Sequence, residues 1–116
     1  MANPNIVGVT EIFGKTVCKN VEATVTTVIG AVPTGDIYKV NSILCCNVDT
    51  TDRTIDIKID KASGDDCFLV KGLTIPTGAT LDVLNKPIYL EEGDVLAAGS
   101  DVVDKVDMTV SYEDIA

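Results

Sequence analysis

Eighteen carboxylates, four thiols and no imidazole are the groups through which this 116-residue chain could do chemistry. Without His, the commonest general base and transition-metal ligand is missing, and every histidine-dependent triad is excluded. The thiols are Cys18, Cys45, Cys46 and Cys67. A nucleophilic Cys needs a lysine or a helix dipole to lower its pKa, and no motif places one beside any of the four. Zinc signatures need two Cys separated by two to four residues. Cys45 and Cys46 are adjacent, point to opposite sides of a strand and do not share a metal. All four are expected to behave as small buried hydrophobes.

The carboxylates gather in turns. Glu91-Glu92-Gly93-Asp94, Asp49 with Asp52, Asp65 with Asp66 and Asp101 with Asp104 each offer the oxygen ligands that Ca²⁺ takes. None has the spacing of an EF-hand loop, and polar turns at sheet ends account for them, so no metal and no cofactor is expected. Asp94, following Gly93, is placed to accept N–H bonds within its own turn. A glycosidase carboxylate pair works in a cleft with aromatic platforms, and the chain has two Phe, three Tyr and no Trp. No catalytic residue is assigned, and the chain is not expected to be an enzyme. The residues expected to meet a partner are the acidic loop Glu91, Glu92 and Asp94, and the outward positions of the Tyr38–Asn47 stretch, represented by Ile43 and Cys45.

The elements that must position these groups read as strands throughout. The last third is the organising unit: Pro87 opens Ile88 to Leu90, Glu91 to Asp94 reads as a tight turn, and Val95 to Ala98 reads as the second arm of a hairpin. After a polar loop at Gly99 to Asp104, Val106, Met108, Val110 and Tyr112 alternate with Asp107, Thr109, Ser111 and Glu113, the period of a half-buried strand. Upstream, strands are expected at Ile6 to Thr10, at Ile12-Phe13 with Gly14 as a turn or bulge, and at Ala23 to Ile29. Tyr38 to Val48 puts Val40, Leu44, Cys46 and Val48 on one side, with Ile43 and Cys45 on the other. Apolar residues on both sides suggest a central strand or one whose outer side meets another subunit. Asp49 to Asp52 reads as a hairpin turn into Thr54 to Asp60, where Ile55, Ile57 and Ile59 alternate with charge. Cys67 to Ile75, with Gly72 as a bulge, and Thr80 to Leu84 complete the set. Pro33 and Pro76 are each placed for the second position of a β-turn with Gly two residues later. Seven to nine short strands without a helical period predict one all-β domain over residues 1–116. Its expected form is an antiparallel β-sandwich, jelly-roll or Greek-key-like.

One core suffices at this length, since such a domain buries roughly two thirds of its unfolded surface. With few aromatics, that core is built from Val, Ile and Leu. The net charge is −9, and residues 82–116 carry nine acids against Lys86 and Lys105. One Arg and scattered Lys do not make a phosphate-binding surface, so nucleic acid is not an expected partner. Anionic membranes are disfavoured likewise, and no run approaches the roughly 20 apolar residues of a spanning helix. The charge suits solubility and a basic protein partner. Met1 to Asn5 has neither a basic start nor an apolar region, so synthesis in a cytoplasm is expected.

Four segments, Asn3-Pro4-Asn5-Ile6-Val7, Lys39-Val40-Asn41-Ser42-Ile43, Tyr89-Leu90-Glu91-Glu92-Gly93-Asp94 and Val110-Ser111-Tyr112-Glu113, carry a likeness over nearly the full length. The chain resembles a group of small virion structural proteins of tailed phages, especially those of marine and cyanobacterial hosts. The resemblance implies a non-enzymatic part of a phage particle and supplies no catalytic residues; Cys45-Cys46 in the middle strand departs from the group. It implies a virion location, with the major capsid protein or another virion protein as partner. A capsid decoration or cement protein is the expected role, with a tail, neck or fibre component or a glycan- or receptor-binding module as alternatives. A homo-oligomer, for instance a trimer, would gain avidity on a symmetric lattice.

Overall fold

The computed structural model describes residues 11–116, and over that span the chain forms nine strands and no helix. The strands are β1 (Ile12–Asn20), β2 (Thr26–Ile29), β3 (Ile37–Asn47), β4 (Arg53–Asp60), β5 (Cys67–Ile75), β6 (Thr80–Asp82), β7 (Ile88–Leu90), β8 (Val95–Ser100) and β9 (Val106–Ile115). The expected strand at Ile6 to Thr10, and the Asn3 to Val7 segment of the resemblance, lie outside the described residues.

Two antiparallel sheets face each other. One has the order β1-β9-β3-β6, with β7 also pairing β3; the other has the order β2-β8-β4-β5. The pairs β1·β9, β2·β8, β3·β6/β7 and β4·β5 form one long antiparallel ribbon whose apex is the turn at 61–66. Successive pairs of that ribbon alternate between the sheets, so it is rolled up, and β3·β9 and β4·β8 close the two layers. The core between them is aliphatic, as the composition requires: Val40, Ile43, Ile55, Ile57, Leu96, Met108 and Val110 are fully buried. The sandwich expectation holds, and β8 and β9 are interior strands of their sheets, as the organising role of the last third implies.

Five local readings are corrected. The 91–94 turn does not close a hairpin: β7 pairs in the five-stranded sheet and β8 in the other, so the chain crosses between layers there. The 48–52 turn crosses in the same way from β3 to β4. Gly14 is neither turn nor bulge but lies inside β1, opposite Glu113. Ala23 to Ile29 shortens to β2, and just before it Val21 and Glu22 bond across the end of the sandwich to Val106 and Ser100. The two Pro-Thr-Gly turns close from Asp36 N–H to the Pro33 carbonyl and from Ala79 N–H to the Pro76 carbonyl. Pro is therefore first and Gly35 and Gly78 third in each turn, the position that needs their positive φ of 88° and 72°. The bulge expected at Gly72 is present: Leu73 faces Ile55 and Val70 faces Ile57, leaving one extra residue in β5.

Candidate interaction surfaces

β3 decides which of the expected partner residues face outward. Its register against β9 slips between Val40, opposite Tyr112, and Ser42, opposite Ser111, so Asn41 is an extra residue. One inserted residue reverses every later side chain. Tyr38 and Val40 point inward before the bulge, and Ile43, Cys45 and Asn47 point inward after it. The expectation that Ile43 and Cys45 face a partner is therefore corrected: both are fully buried, packed in the core. Leu44 and Cys46 take the outer side, so the division of faces expected for this strand is wrong from Ile43 onward. Burial pushes the Cys45 thiol up to about 12, which removes its nucleophilic character. Cys45 is thus the buried thiol that was expected, whereas Cys18 and Cys67 are exposed.

The acidic loop is likewise turned largely inward. Asp94 is 1% exposed and its carboxylate accepts three hydrogen bonds. One oxygen takes Lys61 Nζ at 2.6 Å and the Glu91 N–H at 2.9 Å, and the other takes the Ala62 N–H at 3.1 Å; Asp94's own N–H bonds the Glu91 carbonyl at 3.0 Å. Glu92 is buried too and accepts the Gly35 N–H. Gly93 N–H bonds the Val32 carbonyl at 2.9 Å and Val32 N–H bonds the Asp94 carbonyl at 3.2 Å. This corner therefore fastens three connections together: 91–94, 61–66 and 30–36. Burial by itself would raise the Asp94 carboxyl, but Lys61 and the two backbone N–H groups outweigh it and hold the carboxyl below its usual range. Lys61 is correspondingly pushed up, chiefly by Asp94. Only Glu91 of the three turns its carboxylate outward, 49% exposed and paired with Lys61 at 3.1 Å.

At the opposite end the connections 48–52, 76–79 and 101–105 meet. Asn47, 1% exposed, donates through Nδ2 to the carbonyls of Thr51 at 2.9 Å and Ile75 at 2.8 Å, and its Oδ1 accepts the Asp49 N–H at 2.9 Å. Arg53 bonds Asp49 through Nε at 2.8 Å and Asp101 at 3.3 Å. Asp49 is held below its usual range by the Thr50 N–H and Arg53. For Asp101, burial opposes the shift, but the Thr54 N–H and Arg53 prevail and lower it. The Asp49–Asp52 and Asp101–Asp104 groups thus hold Arg53 and backbone amides. Among the described residues, no group of three or more His, Cys, Asp or Glu could hold a metal ion.

The sequence reading missed Asn47, Lys61 and a third cluster at the β1 end. There Lys15 Nζ meets Asp114 at 3.2 Å. Asp36 is raised above the usual carboxylate range, first by its hydrogen bond with Asp114. The ring centroids of Tyr38 and Tyr112 stand 4.9 Å apart. Lys61 and Arg53 carry no signal, since ordinary surface bases look the same. Asn47 carries a weak one: a polar residue in an apolar strand, whose inward side shows only once the bulge is known.

No family model matches the chain. No curated protein matches it either. Among solved structures it is similar to a pentameric capsid protein from metagenomic phage sequences, with a TM-score of 0.44 and 19% identity over 84% of this chain and 60% of that one. The chain thus spans 60% of the length of that protein, and a likeness this slight carries no argument about this chain's fold or role.

Proposed function

We propose that the protein is a non-enzymatic structural part of a phage virion, a decoration or cement protein seated on the capsid. The observation that carries this reading is the rolled ribbon with both ends fastened from within. The strand orders β1-β9-β3-β6 and β2-β8-β4-β5 are those of a jelly roll, an architecture that recurs in viral capsid and lectin domains. Architecture alone does not select a function. What favours contact over catalysis is the use of the polar side chains: Asp94, Glu92, Asn47, Asp49 and Arg53 are spent on tying loop to loop. The sequence resemblance to virion proteins adds the phage setting. The partner is the major capsid protein or another virion protein, met through basic patches that suit the −9 charge. Of the acidic corner, Glu91 is the member placed to meet it. A homo-oligomer would multiply each weak contact on a repeating lattice.

The test is quantitative mass spectrometry of purified particles from the genome that encodes the chain. A copy number on the order of the capsid subunit is expected, with loss of particle stability when the gene is deleted. A few to a dozen copies per virion would overturn the capsid assignment in favour of the tail or neck. Retention on a glycan column in a chelator-sensitive manner would favour a receptor-binding module instead.

A further inference from the structure

We propose that Asp36 and Asp114 form a proton-operated clasp, in which one proton held between their carboxylates fastens the 30–36 connection to the end of β9. Asp114 stands in β9 opposite Tyr38 of β3, and Asp36 precedes Tyr38 by two residues. The two are therefore diagonal neighbours on the inward side of the sheet, within reach of each other. Asp114 is 7% exposed. Its Oδ2 accepts Lys15 Nζ at 3.2 Å, whereas its Oδ1 is buried and, among the described residues, meets no N–H or hydroxyl donor. An ionised carboxylate only accepts, so a buried oxygen beside a second carboxylate is satisfied when that second group carries a proton and donates it.

The surroundings favour that proton on Asp36. Its carboxyl is raised above the usual range first by the hydrogen bond with Asp114, then by burial and by the Asp114 charge; Lys15 opposes and Glu11 adds to the rise. Tyr38 of β3 and Tyr112 of β9 complete the ionisable groups around the pair. β2 brings none, and residues 1–10 contain no ionisable side chain. A metal ion suits the pair less well than a proton. Lys15 already neutralises the other Asp114 oxygen, and among the described residues no group of three ligating side chains exists. Because the folded pKa of Asp36 lies above the unfolded value of about 3.9, the clasp is complete below that value and is lost as pH rises through the folded pKa. Asp94, at the same end, has the opposite sign. As pH falls, this end of the sandwich therefore slackens its hold on the 61–66 turn and tightens its hold on the 30–36 connection.

The clasp belongs to the isolated chain and stands apart from the virion reading, so its test uses the full chain in solution. Asp36→Asn puts an amide N–H beside Asp114 Oδ1 at every pH. It should raise the melting temperature at pH 7 by about 2 °C over the wild type, and the gap should close towards pH 4. Comparing the two chains at each pH cancels the loss from Asp94, which they share. No gain at pH 7, or a gap that does not change with pH, would overturn the proposal. Carboxyl-carbon NMR gives the direct readout: Asp36 should titrate above about 3.9 in the wild type and return to the ordinary aspartate range in Asp114→Asn. An ordinary wild-type midpoint, or one indifferent to Asp114→Asn, would also overturn it. Should Asp114→Asn fail to fold for want of its Lys15 contact, the wild-type titration and Asp36→Asn decide.

Discussion

The two ends of the sandwich do the same mechanical job with different chemistry. At one end a buried neutral amide, Asn47, gathers the loops 48–52 and 76–79, with Arg53 between Asp49 and Asp101 on the outside. At the other a buried carboxylate, Asp94, gathers the turn 61–66 onto the corner 91–94. Both satisfy backbone groups that an irregular loop would otherwise leave unpaired. An amide does so at every pH, whereas a carboxylate does so fully only while ionised.

The largest expected effects come from removing each centre. Asn47→Ala strands two carbonyls, the buried one of Ile75 among them, and one N–H, and Asp94→Ala strands two N–H groups beside a half-buried lysine. Each should cost about 3 kcal/mol in urea unfolding at neutral pH. Nearly equal losses would support the parallel between the ends, and a loss under about 1 kcal/mol at either would break it.

Acid separates the two centres. The folded pKa of Asp94 is depressed, so its contribution is present above the unfolded value of about 3.9 and is lost as pH falls through the folded pKa. The penalty of Asp94→Ala should therefore shrink below about pH 4, while that of Asn47→Ala should persist. Hydrogen exchange of the wild type should show amides at 61–62 and 91–94 opening before those at 47–51. Asp49 and Asp101, also depressed, make the Asn47 end lose some support over the same range without losing its amide bonds.

Gly99 sharpens the contrast from the packing side. A Cβ there would meet the Val25 nitrogen at 2.9 Å and the Thr24 carbonyl carbon at 3.0 Å, both backbone atoms that cannot swing aside. Gly99→Ala should cost about 1–3 kcal/mol and shift the amide signals of residues 22–26 while leaving the Asp94 corner unchanged. The smallest effects belong to the thiols on opposite sides of the five-stranded sheet. Cys45→Ser should cost about 1–2 kcal/mol by burying a hydroxyl, and Cys18→Ser less than about 0.5 kcal/mol, both by thermal melting.

Much of this was legible in the sequence where burial is one-sided. The alternation in β4 and β9 follows directly from a core on one side and water on the other, and the bulge at Gly72 follows from a glycine interrupting an apolar run. Turn chemistry shows that the chain reverses but not whether it returns to the same sheet. The 91–94 and 48–52 turns therefore read as hairpins when they cross between layers. The Asn41 bulge carries no Gly or Pro to announce it, and it inverted the faces of β3, moving Ile43 and Cys45 into the core and hiding Asn47. β1 lacks any alternation, because an edge strand exposed along most of its length has no pattern to display.

The rolled ribbon has a kinetic consequence. Its apex pair, β4 with β5, closes a short loop, whereas Ile12 and Ile115 meet only after the whole described chain lies between them. Local contacts form fast and distant ones slowly, so condensation should start at the apex and wind outward. β9 inserts between β1 and β3, so the layer containing all three stays split until β9 leaves the ribosome. A chain stalled before that point would present two raw strand margins, which makes late truncation more hazardous for aggregation than early truncation.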